Sequence, residues 1–207
     1  MTKLISLKKA VGTYVTDGDC LLEAAKSKGP KTVAVAAGHQ SEVMLAGLDA
    51  EVAGLAEVVL VGDTDQIKKI ADDEGFDISR MDVIHASRSR DAAWQVMKLV
   101  SDGQADIAMK GKVETSDFLR AALSRELDLR TGRLFTHVAA FEIPGFDRLI
   151  FISDAGVTVA PDLEQKVQIV QNAINVARAL GINIAYALRT RRLSRDDYGD
   201  MVHCCAE

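Results

Sequence analysis

Short apolar runs bounded by glycine, proline or aspartate alternate along this chain with longer stretches in which apolar side chains return at helical spacing. Residues 32–37, TVAVAA, lie between Pro30 and Gly38 and predict a buried strand. Residues 57–61, EVVLV, stopped by Gly62-Asp63, predict a second, and residues 82–85 a third. Ile107, Ala108 and Met109 predict a fourth. A helix over 19–28 precedes the first strand, with Leu21, Leu22, Ala24 and Ala25 clustered, and ends at Gly29-Pro30. Between the strands, 41–53 predicts a helix with Ser41 as cap and Val43, Leu45, Leu48 and Val52 as its inner face. Thr64 is the expected cap of the next, over Ile67, Ile70 and Ala71, with Gly75 at its C-terminus. Residues 91–101 turn Ala93, Val96, Met97 and Val100 inward and end at Asp102-Gly103. Strand and helix in this rhythm imply βαβ units: an α/β fold of three layers, α/β/α, with a largely parallel mixed sheet.

The beat changes after residue 130. Arg130-Thr131-Gly132-Arg133 is a basic hinge. Residues 134–143 and 149–153 are rich in β-formers and flank Pro144-Gly145-Phe146-Asp147, a turn signature, so they predict a hairpin that makes the sheet mixed. Pro161 opens a long helix over 161–180, with Leu163, Val167, Val170, Ala173, Ile174 and Ala177 expected inward and Gly181 at its end. Residues 182–187 predict one more strand, and from Arg189 the apolar pattern is lost. The expected organisation is an α/β domain over 1–130, the start of a second domain over 131–188, and an atypical tail over 189–207.

The chemistry concentrates at ADIAMKGKVETSDFLRAAL, residues 105–123. Lys110-Gly111-Lys112 forms a cationic turn between strand and helix. Thr115 or Ser116 is placed to cap that helix, whose buried face would be Phe118, Leu119, Ala122 and Leu123. A helix N-terminus with two lysines at its mouth suits an anion, phosphate above all; the plain alternative is an ordinary loop with solvated lysines. Arg120, one turn in, can reach back toward an anion or simply be solvated. In parallel sheets ligands sit beyond the carboxyl ends of the strands, which puts Gly38-His39-Gln40, Gly62-Asp63, Ala86-Ser87-Arg88 and the lysine turn on one rim. Arg130 and Arg133 can clamp a second anionic group, or form only a charged loop. Asp154, at a strand end ahead of Gly156, is a candidate base or an aspartate that stabilises its own turn. His39 carries the same ambiguity, while His137 inside a strand reads as a core residue. The two common nucleotide fingerprints, GxGxxG after the first strand and GxxxxGK[ST], are absent, as are GxSxG and HExxH.

Composition narrows the choices. The chain has 207 residues, 48% of them hydrophobic but only 5% aromatic, so small aliphatic side chains must build the core. A formal charge of −5 gives no support for a nucleic-acid groove. Three cysteines, Cys20, Cys204 and Cys205, form neither a disulfide framework nor a zinc pattern and fit a reducing compartment. The first residues hold no long apolar run, so no secretion signal or membrane span is expected, and cytoplasm is the expected location.

The run MKGKVETSDFLRAAL, followed by LRTGRLFTHVAAFEIPGFDRLIFISDAGVTVAPDLEQK, closely resembles the phosphate acetyl/butyryltransferase family, especially its phosphate butyryltransferase branch. The resemblance implies reversible transfer of an acyl group, butyryl or acetyl, between coenzyme A and inorganic phosphate. It implies acyl-CoA or acyl phosphate as partners and a homodimer, with coenzyme A as a substrate and no bound cofactor or metal. It implies a two-domain fold like that of isocitrate and isopropylmalate dehydrogenases, with the active site in the cleft. The coenzyme A thiol would attack the acyl phosphate carbonyl with help from a carboxylate base. Lys110, Gly111, Lys112, Thr115 and Arg120 match a segment lining that cleft, and Arg133 joins them as a substrate-binding residue. Family members run longer and place a Ser-Arg pair and an Asp in their later part. Ser194-Arg195 with Asp200 echo that trio only in type. The tail reads as a shifted frame or a shortened product, so little turnover is expected of this chain. Two rivals remain: a catalytically impaired remnant or phosphate/CoA-binding module of the same family, and a metal-dependent dehydrogenase, which lacks an Asp cluster here.

Overall fold

A computed structural model describes residues 17–182, apart from Asp147 and Ala155. The chain divides into two compact units, with residues 16–133 in one and the chain from Leu134 onward in the other. The predicted strand over 182–187, apart from its first residue Ile182, and the tail, including Ser194, Arg195, Asp200, Cys204 and Cys205, lie outside the described residues.

The first unit begins with α1 (Gly18–Lys26), capped by the Asp17 carboxylate accepting from Cys20 N. Then come β1 (Lys31–Ala36), α2 (Ser41–Val52), β2 (Ala56–Gly62), α3 (Thr64–Glu74), β3 (Asp82–His85), α4 (Ser89–Ser101), β4 (Ile107–Lys110), α5 (Thr115–Ala122) and a short 3-10 turn at Arg125–Leu127. The four strands are all parallel, in the order β3-β2-β1-β4. Alternate side chains of a strand point to opposite faces, and here both faces are covered. Val35, Val58 and Leu60 pack with Met44 of α2 and with Ile67 and Ala71 of α3. Ala34, Ala36 and Val61 pack with Ala92, Ala93, Val96 and Met97 of α4 and with Ala121 of α5. This two-sided burial explains why the strands read as unbroken apolar runs.

Two helix faces differ from expectation. On α2 the buried residue is Met44, with Val43 and Leu48 packed beside it, while Leu45 is exposed and Val52 is 89% exposed. The helix is turned so that Gly47 lies against the sheet, where a Cβ would sit 3.4 Å from Val58 Cγ1 and Met81 Cε. Close approach of helix to sheet, rather than the count of large apolar residues, selects this face. On α5, Phe118 and Ala122 pack against the core and Ala121 is buried, but Leu123 is exposed.

The second unit contains β5 (Ala139–Phe141), β6 (Ile150–Ile152) and α6 (Leu163–Ala179). β5 and β6 pair antiparallel as the predicted hairpin, and in the described residues they form a two-stranded sheet of their own. The chain thus carries parallel and antiparallel ladders. Helix α6 starts with a complete capping box: Asp162 accepts from Gln165 N at 2.8 Å, and the Gln165 side chain accepts from Asp162 N at 3.0 Å. Its expected inner face is corrected by the structure. Leu163, Val167 and Val170 are exposed, the first at 79%; Ala177 is buried as expected, and Ile169 is buried although it lies outside the expected face. The reason lies in polar anchors. Gln168 accepts from Leu134 N, and Asn172 donates to Leu134 O and Thr136 Oγ1, so these side chains fix which side of α6 meets the preceding segment. Among the described residues no helix is long and apolar enough to cross a membrane.

Candidate functional site at the end of β1 and β4

The strand order fixes where a ligand crevice can form. The chain leaves β1 toward α2 on one face of the sheet and leaves β4 toward α5 on the other. Adjacent parallel strands whose connections part in this way open a crevice beyond their carboxyl ends. One wall is the turn Ala37-Gly38-His39-Gln40, and the other is Gly111-Lys112-Val113-Glu114.

The walls meet at Gly111. Gly111 N donates to Ala36 O at 2.8 Å, and Lys112 N donates to Ala37 O at 3.3 Å. A Cβ on Gly111 would lie 2.7 Å from both Ala36 O and Ala37 O. The glycine is therefore required by the approach of two backbones, not by an unusual φ. Opposite it, Ala37 takes a left-handed φ of 52°, unusual for a residue with a Cβ. On the other side of β1, Gly38 N donates to Val61 O, which ties the turn to the end of β2.

The cations are disposed unequally. Lys110 Nζ donates to Val113 O at 3.0 Å and so braces its own turn. Lys112 is exposed, and its amine makes no hydrogen bond or ion pair among the described residues. Arg120 does not reach back freely, because its guanidinium is paired with Asp117 within α5. Such an exposed pair contributes only about 0.2–1 kcal/mol, so a stronger anion can displace it. Thr115 and Ser116 are not the cap of α5. Glu114 is the N-cap residue and makes no side-chain capping bond, which leaves the Thr115 and Ser116 hydroxyls exposed on the first turn. Gln40, at the start of α2, likewise makes no side-chain capping bond, and neither does Arg88 before α4, which pairs instead with Asp91.

By contrast α3, which starts at the end of β2, is closed. Asp63, not Thr64, is its cap, accepting from Asp65 N and Gln66 N. These bonds, the Gln66 backbone N–H first, hold the Asp63 carboxyl below the usual carboxylate range. The signal was present in the sequence as Asp63 followed three residues later by Gln66, whose side chain donates to Asp63 Oδ2 at 2.9 Å. Thr64 turns its hydroxyl to His85 Nδ1 at 3.2 Å instead.

Arg130 and Arg133 are exposed in the segment that closes the first unit, with Gly132 at φ 75° between them. Asp154 belongs to the second unit. Its carboxylate accepts from Thr158 N at 2.9 Å, His137 N at 3.2 Å and Val157 N at 3.4 Å. Burial pushes this carboxyl up, but the backbone N–H groups of His137, Thr158 and Val157 outweigh it and hold the group below the usual carboxylate range. A carboxylate so occupied is a poor proton acceptor. His137 is exposed, not part of a core. Among the described residues no cluster of three or more His, Cys, Asp or Glu is arranged to hold a metal ion.

Fold and crevice define an open-sheet α/β protein with a cationic, glycine-walled opening at its switch point. Comparison with known proteins adds the family. A profile described as phosphate acetyl/butaryl transferase matches residues 85–190, and the chain belongs to that family. It is 43% identical over 157 residues to the phosphate butyryltransferase of Clostridium acetobutylicum, covering 76% of this chain and 52% of that protein. It is 40% identical over 166 residues to the phosphate butyryltransferase of Clostridium beijerinckii, covering 80% and 55%. The phosphate acetyltransferase of Rhizobium meliloti is 32% identical over 165 residues, covering 79% and 52%. The chain thus spans about half the length of the curated relatives it matches. Among solved structures, the branched-chain phosphotransacylase from Enterococcus faecalis superposes with a TM-score of 0.61 at 26% identity, covering 73% of this chain and 52% of that one. A phosphotransacetylase from Staphylococcus aureus, at 18% identity and a TM-score of 0.66, shares the fold.

Proposed function

We propose that this chain takes part in acyl transfer between coenzyme A and inorganic phosphate, with an acyl phosphate, butyryl or acetyl, as the second reactant. Higher identity to the two butyryltransferases than to the acetyltransferase favours the butyryl branch. In this reaction the coenzyme A sulfur bonds to the acyl carbonyl carbon, the bond from that carbon to the phosphate oxygen breaks, and phosphate leaves with the electron pair. The thiol proton goes to a base. The observation that carries the reading is the wedge of Gly111 against the end of β1, which brings Lys112 and the uncapped start of α5 to the switch-point crevice. Cationic and N–H donors held there suit the phosphoryl oxygens and the charge that grows on the leaving phosphate.

In this reading Lys112, Thr115 and the N-terminal N–H groups of α5 contact phosphate. Lys110 and Gly111 shape the turn, and Arg120 and Arg133 supply further positive charge. Asp154 serves as a bracket for its loop and leaves the base to another group. The same reading makes the two units parts of a two-domain enzyme resembling isocitrate and isopropylmalate dehydrogenases in fold, working as a cytoplasmic homodimer with coenzyme A as substrate and no resident cofactor.

The test is thioester formation from butyryl phosphate and coenzyme A, alongside calorimetric binding of inorganic phosphate. Replacing Lys110 and Lys112 together with Ala is expected to weaken phosphate binding by about 1–3 kcal/mol, the scale of lost charge-assisted hydrogen bonds. Unchanged phosphate binding in that double variant would count against the crevice. Binding without thioester formation would favour the binding-module alternative.

A further inference from the structure

His39 sits in the wall of the crevice opposite the lysine turn, and its surroundings are unusual. Its Nδ1 is fully buried and has no hydrogen-bond partner among the described residues, yet the residue as a whole remains partly exposed. Nε2 is not among the fully buried, partnerless side-chain atoms of the described residues, so it is the ring nitrogen left open to a ligand. The burial is built by glycine. A Cβ at Gly62 would lie 3.0 Å from His39 Nδ1 and 3.5 Å from Gly38 N, so any larger residue there would press on the imidazole. Gly38 is equally constrained, since its Cβ would lie 2.9 Å from Leu60 Cδ2. Gly62, at the end of β2, thus forms the wall against which the ring is held with Nδ1 inward, while Gly38 lets the turn before the ring pack on Leu60.

A buried nitrogen without a partner is costly, and an orphaned N–H is rarer than an orphaned acceptor. In the neutral ring one nitrogen carries the proton and the other does not. The buried, partnerless Nδ1 therefore favours a bare Nδ1 inside and an Nε2–H outside, a donor of restricted direction on a turn that forms one wall of the crevice. The register supports the placement. β1 pairs with β2 on one side and β4 on the other, with Ala36 opposite both Val61 and Lys110. The His39 turn and the Lys112 turn are successive steps along the same rim.

We infer that His39 is a substrate-binding residue of this crevice, donating its Nε2–H to a phosphoryl oxygen that Lys112 also contacts. The inference rests on the reading of the crevice as a phosphate site. A donor of fixed direction adds what a flexible lysine cannot: it orients the anion rather than only attracting it.

The test uses the full chain and inorganic phosphate as probe. With histidine ring nitrogens labelled, long-range proton–nitrogen spectra report the tautomer of each of the four histidines, and His39 is assigned by the signal missing from His39→Gln. The expected result is an Nε2–H tautomer whose Nε2 signal shifts on adding phosphate. By calorimetry, His39→Ala is expected to lose about tenfold or more in phosphate affinity, and His39→Gln, which keeps an N–H near the same place, to lose less. An Nδ1–H tautomer, or full affinity in His39→Ala while Lys112→Ala is weakened, would overturn the role of His39 and leave the crevice standing. No phosphate binding by the unaltered chain would remove both. Should His39→Ala fail to fold, Gly62→Ala decides: it keeps the imidazole but tilts it, and unchanged affinity there would refute the inference.

Discussion

Residues 16–133 and residues 134–182 are built from similar material and held together differently. In the first stretch helices cover both faces of β1 and β2, and Leu60, Val61, Val35 and Ile67 are closed off from solvent. In the second, the described residues bury only Leu149, Ile169 and Ala177 among their apolar side chains. Its order comes from polar side chains that meet backbone: Gln168 and Asn172 on Leu134, Ser153 on His137 O, and Asp154 on three N–H groups. A layered parallel sheet excludes water from both faces and makes stability a matter of packing. The one hairpin and one helix among the described residues of the second stretch do not do so, and directional hydrogen bonds take over the positioning there.

The sharpest way to break this comparison is a matched pair of truncations. Leu60→Ala, in the closed core, is expected to destabilise the chain by about 2–5 kcal/mol. Leu163→Ala, 79% exposed, is expected to change stability by less than about 0.5 kcal/mol. Urea midpoints for the two variants check this, and equal losses would mean that the α6 face is covered in solution.

Next in size is Gly111→Ala. The added carbon would meet two backbone carbonyl oxygens at 2.7 Å, which cannot move aside as a flexible side chain could. A loss of about 1–3 kcal/mol in stability is expected, together with weaker phosphate binding. If Gly111→Ala lowers neither, the two turns are not wedged as described.

The smallest effect distinguishes the polar brackets. Asp63 in the first unit and Asp154 in the second both titrate below the usual carboxylate range. A carboxyl whose pKa is lower folded than unfolded contributes stability above its unfolded pKa and loses it as pH falls through its folded pKa. Acid is thus expected to release the Asp63 cap and the Asp154 loop only at pH below the usual carboxylate range. The amide signals of Gln66 and Thr158, followed by NMR during acidification, report the two events. A transition at the pH of an ordinary exposed carboxylate would show that the brackets are not formed. Asp154→Asn is expected to abolish the transition at Thr158.

By itself the sequence determined the alternation of strands and helices, the hairpin around Pro144-Gly145 and the membership of an acyltransferase family. Those features depend on local spacing, turn chemistry and motif order, all of which are written along the chain. It also brought Lys110, Gly111 and Lys112 forward, since a glycine between two lysines at a strand end is visible as such. Only the tertiary structure decided what each of them does. Gly111 matters because β1 ends where it does, and Lys110 is spent on its own turn. Arg120 is paired with Asp117, and Glu114 rather than Thr115 begins α5. The inner faces of α2 and α6 were legible only in part: Val43, Leu48 and Ala177 lie inward as periodicity expects, but Leu45, Val52, Leu163, Val167 and Val170 do not, because a close helix–sheet approach at Gly47 and the amides of Gln168 and Asn172 set the rotation. Periodicity states that a helix has an apolar side; it does not state which neighbour arrives, how near it comes, or which polar group must be satisfied when it does. The slot around His39 belongs to the same class, since Gly62 becomes its wall only when β1 and β2 lie side by side.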